Sequence, residues 1–179
     1  ADGWSYEEVL PHFRQLECFA GGDDKYHGRN GDLPVSHLRN ENAACQAWIK
    51  AAEQAGLPVN DDFNGKSTYG VGAYHLNIGK RLRASAAAAF LRPALKRANL
   101  KLTTHALVSR VEFEKGKATG VTWTINGKSY GARAKREIIL CAGSIQSPQI
   151  LQLSGIGPAN VLKDQGISVV VDSAEVGAN

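Results

Sequence analysis

The 179-residue chain reads as a mixed α/β fold in which helices and strands alternate through the second half. Three observations carry that reading. The stretch Glu137-Ile138-Ile139-Leu140-Cys141-Ala142 is apolar without alternation, as in a strand covered on both faces, and runs straight into Gly143, Ser144 and a helical segment. Residues 107–114, 118–125 and 128–134 follow one another at hairpin spacing, with Asn126-Gly127 as a two-residue turn, which predicts a three-stranded meander. Ala43, Ala44, Ala47, Trp48, Ala51 and Ala52 recur at helical spacing and stop at Gly56, with Pro58 beyond.

The elements follow in order. Residues 1 to about 17 read as a helix, with Ser5 and Glu8 at capping-box spacing, Val9, Leu10 and Phe13 as its apolar side, and Pro11 expected to kink or shorten it. Gly, Asp and Asn are dense from 21 to 30, which marks a surface loop. After the alanine-rich helix, Tyr69 to Ile78 alternates imperfectly as a strand, with Gly70 and Gly72 permitting close backbone approach. His75 and Asn77 are its polar residues, and a structural hydrogen-bonding role outweighs substrate contact for both. Ser85 caps a helix over 86–91, and Pro93 opens a turn that carries Lys96 and Arg97 near its end. A short strand over 100–104 precedes the meander. Downstream, Ser147 is placed to cap the next helix, Pro148 suits its first turn, and Gly155 ends it. A second short helix from Pro158 closes at Gly166, and 167–171 form the last strand.

Composition limits the function classes. No apolar run approaches the roughly 18 to 20 residues that cross a bilayer. The net charge of +4 is split among short basic groups such as Lys80-Arg81 and Lys135-Arg136, without interleaved aromatics, which argues against nucleic acid as a partner. Cys18, Cys45 and Cys141 are odd in number and widely spaced, so neither a disulfide framework nor a metal site is expected; Cys141 reads as a small core residue of its strand. Gly155-Ile156-Gly157-Pro158-Ala159-Asn160 imitates a dinucleotide fingerprint, but Asn160 replaces its third glycine and no strand precedes it.

The run Gly143-Ser144-Ile145-Gln146-Ser147-Pro148 through Gly155-Ile156-Gly157 resembles a signature of the glucose-methanol-choline flavoprotein oxidoreductases. Gly3-Trp4-Ser5-Tyr6, His27-Gly28, Asp62-Phe63-Asn64-Gly65 and Gly70-Val71-Gly72 fall in that family's order, as do Phe90-Leu91-Arg92-Pro93 and the closing Val176-Gly177-Ala178-Asn179. The resemblance covers essentially the whole chain and is nearest to the choline and alcohol dehydrogenase branch. It implies part of an FAD-binding Rossmann-like domain with a β-meander (84–179), part of an antiparallel-sheet substrate-binding domain (31–83), and a connecting helix and loop (1–30).

By the same resemblance the cofactor is FAD, and the reaction is oxidation of a primary alcohol or choline-like small molecule to the aldehyde by hydride transfer to flavin. Val108 would approach the adenine through its backbone, and Ala142, Gly143 and Ser144 would lie beside the dinucleotide. Cys141 and Gln152 stand where smaller or more apolar residues are expected. The family's opening Gly-x-Gly-x-x-Gly and its catalytic His match no segment here, so the chain reads as an internal, catalytically incomplete portion, without assigned catalytic, substrate-contacting or metal-binding residues or electron acceptor. The alternative is a non-catalytic ligand-binding or interaction module that keeps a flavoprotein fold. A cytoplasmic location, peripheral to the cytoplasmic membrane in one variant, and self-association into a homo-oligomer through uncovered sheet edges complete the expectations.

Overall fold

A computed structural model describes residues 2–39 and 42–178; Asn179 of the closing motif lies outside the described residues. The chain divides into two compact units, Ala1–Leu102 and Thr103–Asn179.

In the first unit, helix α1 spans Tyr6–Leu16. Its capping box forms as the spacing predicts: Glu8 N–H donates to Ser5 Oγ, and Ser5 N–H donates to Glu8 Oε2 at 3.0 Å. The Ser5 contacts also hold the Glu8 carboxyl below its ordinary value. Pro11 neither ends nor shortens the helix, which continues to Leu16. It stands sixth in the helix, near enough to the start that a single backbone bond, to the Glu7 carbonyl, is forfeited.

Strand β1 (Glu17–Phe19) follows at once and pairs in parallel with β2 (Leu33–Val35) across the 20–32 loop. The loop is where the sequence places it, yet His27 and Gly28 within it are buried. Helix α2 (Ala43–Gln54) is capped by Asn42 and ends before Gly56, as its alanine pattern predicts. The strand expected over 69–78 is broken. Only single bridges form, Val71 with Val59 and Leu76 with Ser36, before the short β3 (Ile78–Gly79) pairs with β4 (Leu82–Arg83). Glycines at 70 and 72 and the polar His75 and Asn77 leave too little apolar face to hold a longer ladder. Ser85 caps a π-helical turn, Ala87–Leu91, continued by the short α3 (Arg92–Ala94). No strand forms over 100–104.

The second unit is built on the predicted meander: β5 (Leu107–Glu114), β6 (Lys117–Ile125) and β7 (Lys128–Arg133), antiparallel and in chain order. Asn126 and Gly127 both take positive φ, 49° and 76°, the geometry of a primed hairpin turn. Helix α4 (Gly143–Leu153) packs on β5, followed by β8 (Ile156–Gly157), α5 (Ala159–Asp164) and β9 (Val171–Asp172), with β8 and β9 parallel. The last strand, expected over 167–171, is the pair Val171–Asp172, so only Val171 of the expected five residues is in it.

Two expectations fail around α4. Residues 137–142 make no ladder with any described strand, and Ile139 is 74% exposed. Cys141 is exposed as well rather than a core residue. An apolar pattern becomes a strand only when a neighbour accepts its backbone bonds. The helix begins at Gly143, so Ser147 and Pro148 lie inside it rather than at its cap and first turn. Ser147 nevertheless serves that end, its Oγ accepting the Ala142 N–H at 3.0 Å.

Candidate functional site

The residues expected to meet a cofactor all lie in the second unit. Val108 sits near the start of β5, opposite Trp123 of β6, and the register shifts immediately after it. Val111 is fixed from its open edge: its N–H donates to Ser154 Oγ at 2.8 Å, and that hydroxyl donates to the Ile150 carbonyl. Val111, Ile150 and Leu162 form the buried core here, with Ser154 the buried polar link between strand and helix. An edge strand whose outward N–H is captured in this way is protected from pairing elsewhere.

Ala142, Gly143 and Ser144 make the turn into α4. Gly143 has φ +89°, and no atom lies within 4 Å of the place where a Cβ would stand. No side chain accepts from the first-turn N–H groups of the helix through an N-cap at Ala142. Open space over a glycine and undirected N–H groups at a helix start together suit the close approach of an anionic dinucleotide. A further unmet group stands opposite Val108: the indole Nε1 of Trp123 is buried without a hydrogen-bond partner. The residues present therefore fit the expected cofactor. No hydrogen bond among the described residues joins Val108 to the 142–144 turn; they share a unit through the packing of α4 on β5.

Gln152, unexpected at its position, has a definite task. Its Nε2 donates to the Val176 carbonyl at 2.9 Å, and its side chain passes against Gly157 and Gly177, where an added Cβ would come within 2.9 and 2.6 Å of it. This amide helps fasten the closing segment to α4.

The first unit contains a cluster that no sequence pattern announced. Phe19, 1% exposed, is surrounded by the rings of His27, His37 and His75, with centroids at 4.9, 5.1 and 4.4 Å. His27, 2% exposed, places Nδ1 2.9 Å from Glu17 Oε2 and Nε2 2.8 Å from Asp62 Oδ2. Only a ring protonated on both nitrogens donates to both carboxylates at once. The Gly28 N–H also donates to Glu17 Oε2, and Arg29 donates to the carbonyls of Phe19, Gly21 and Gly22, so the loop is tied down along its length. Asp62 is aimed by Asn60, whose Oδ1 accepts the Asp62 N–H.

His75 completes the cluster. Its Nδ1 faces Asp62 Oδ1 at 3.9 Å, while Nε2 is buried with no partner. Burial, then the neighbouring His37, holds its pKa below the ordinary imidazole value, against the pull of Asp62. The available signals were His27-Gly28 and Asp62-Phe63-Asn64-Gly65, both within the motifs that carry the family resemblance, but neither reveals that the two segments meet.

The family model described as GMC oxidoreductase matches residues 1–179. The chain is 44% identical over 179 residues to the mitochondrial choline dehydrogenase of Homo sapiens, covering 100% of this chain and 30% of that protein. It is 43% identical over 183 residues to the oxygen-dependent choline dehydrogenase of Photobacterium profundum, again covering 100% of this chain and 32% of that protein. Among solved structures, pyridoxine 4-oxidase from Mesorbium loti superposes with a TM-score of 0.88 at 34% identity, over 94% of this chain and 33% of that one. An FAD-dependent oxidoreductase from Chaetomium thermophilum gives 0.91 at 30% identity, over 97% and 32%. The chain thus spans about a third of the length of the curated relatives it matches.

Proposed function

The chain belongs to the GMC oxidoreductase family, and we propose that it contributes to an FAD-dependent oxidoreductase that converts a primary alcohol or choline-like substrate to the aldehyde. The observation that carries this reading is the family match over 1–179 together with 44% identity to a choline dehydrogenase along the whole chain. Bound flavin would supply the acceptor for the hydride lost from the carbinol carbon. Val108 would hold the adenine through its backbone, leaving its side chain free to pack inward. Ala142, Gly143 and Ser144 would flank the dinucleotide, with the open face of Gly143 admitting it and the α4 N-terminus favouring its negative charge. The base that takes the hydroxyl proton is assigned to none of the described residues.

In this reading residues 31–83 form part of the wall facing the substrate, and 84–179 part of the cofactor domain. The partner is a small alcohol rather than nucleic acid, the assembly a homo-oligomer, and the location cytoplasmic or peripheral at the cytoplasmic membrane. No helix among the described residues is long and apolar enough to cross a membrane.

The test is anaerobic absorption spectroscopy on the purified polypeptide that carries this chain. It is expected to hold FAD, to lose the oxidised flavin band when choline or a simple primary alcohol is added, and to bind FAD about tenfold more weakly as Gly143→Val. A polypeptide that cannot be loaded with FAD, or whose bound flavin no alcohol reduces, overturns the proposal.

A further inference from the structure

A pocket of about 270 Å³ in the first unit lies where the chain leaving β2 meets the β3–β4 hairpin. Ser36 and Leu76 in its lining are fixed, because they exchange both backbone hydrogen bonds, at 2.9 and 2.8 Å. Leu38, Leu76 and Ile78 give the pocket an apolar side, and His37, Arg39 and Arg81 give it donors. No Asp or Glu among the described residues lines it, and neither guanidinium makes a hydrogen bond or an ion pair there. Two uncompensated guanidinium groups bordering one concave site repel each other, and a bound oxyanion would replace that repulsion with charge-assisted hydrogen bonds.

The hairpin supplies an independent observation. Its register, Ile78 with Arg83 and Gly79 with Leu82, leaves Lys80 and Arg81 as the two turn residues, and both have positive φ, 50° and 69°. Such a turn is held without strain by Asn and Gly, the residues that make the meander turn at 126 and 127. Lysine and arginine hold it against their own backbone preference. Strain kept at a residue whose side chain lines a pocket points to what that side chain presents there rather than to the turn itself.

We propose that this pocket binds a phosphate monoester, whose phosphoryl oxygens accept from Arg39 and Arg81, with the His37 ring and the Ser36 hydroxyl as further donors, and whose organic part rests on Leu38, Leu76 and Ile78. The parts of the site select among anions. A halide offers no pair of oxygens for a guanidinium fork, a carboxylate brings a single charge to two arginines, and inorganic phosphate leaves the apolar side unused. The inference rests on the first unit alone and is independent of the cofactor reading.

Calorimetric titration of the polypeptide that carries this chain with phenyl phosphate, inorganic phosphate and benzoate tests it, at neutral pH, at constant ionic strength in chloride, and with excess FAD present to occupy any dinucleotide site. Saturable one-to-one binding of phenyl phosphate is expected, with each of the other two about tenfold weaker. Arg39→Gln and Arg81→Asn are each expected to weaken phenyl phosphate about tenfold, whereas Lys117→Gln, an exposed cation of the other unit, leaves it unchanged. Arg81→Asn should do so without lowering the unfolding temperature, since asparagine accepts the positive φ more readily, and this separates loss of the site from loss of the fold. Absence of saturable phenyl phosphate binding, equal affinity for the three anions, unchanged affinity in both arginine variants, or an equal loss in Lys117→Gln would overturn the proposal.

Discussion

The two units solve the same problem of holding a small core with different materials. The second unit relies on backbone: three strands paired with their chain neighbours through two short turns, and a helix joined to the outer strand by one serine. The first unit has little sheet, and its fixed point is a set of side chains, three imidazoles around Phe19 and two carboxylates on His27, gathered from positions between Glu17 and His75. Ladder bonds between neighbouring strands tolerate changes of side chain, whereas a buried polar cluster fails when any one member is lost.

The largest effect that would break this contrast is expected at Phe19. Phe19→Ala should destabilise the first unit by about 3 to 5 kcal/mol, since it empties the space that all three histidine rings face. Hydrogen exchange resolved by residue should show the loss in β1 and β2 with the meander still protected; equal loss in β6 would mean that the units are not separately held. Ser154→Ala tests the backbone-built unit and should cost about 1 to 3 kcal/mol, because it strands the Val111 N–H and leaves the rest of the ladder intact. Exchange at Val111 should accelerate more than at Val121, its cross-strand partner.

The smallest effect sharpens the comparison through pH. His75 binds its proton less readily in the folded chain than the ordinary value of 6.5, because of burial and the adjacent His37. The unfolded chain therefore takes up protons first as pH falls. The contribution of His75 to stability is complete above about 6.5 and is lost as pH drops through the lowered folded value. Denaturant titrations between pH 8 and 5 should show stability falling on the acid side, with the fall reduced in His75→Phe; a slope unaltered by that substitution would remove His75 as its source.

The same contrast explains what the sequence discloses. Meander, α1 and α2 are legible because their signals are local: Asn126-Gly127 for the turn, Ser5 with Glu8 for one cap, an alanine repeat ending at Gly56 for the other helix. Ser147 and Pro148 mislead because a helix started by a glycine four residues earlier can carry proline at its sixth position, as α1 also does. Residues 137–142 have the composition of a central strand, but pairing is a property of neighbours, and composition names none. For the candidate cofactor turn, the small residues were visible while the positive φ of Gly143 and the unmet Trp123 indole were not. The histidine cluster was illegible because nothing periodic relates positions 19, 27, 37, 62 and 75.

Gly28 gives the close approach of α1 and its loop a wider meaning. A Cβ at that position would fall 1.7 Å from the Arg14 carbonyl oxygen and 2.8 Å from that of Glu17, and both obstacles are backbone, which no change of rotamer can clear. Position 28 therefore behaves as a gauge: it sets how near the end of the helix the returning chain must run for His27 to fall between its two carboxylates. A library of replacements there should yield no graded series by size or polarity, with alanine as damaging as leucine, because the first methyl group already exceeds the clearance.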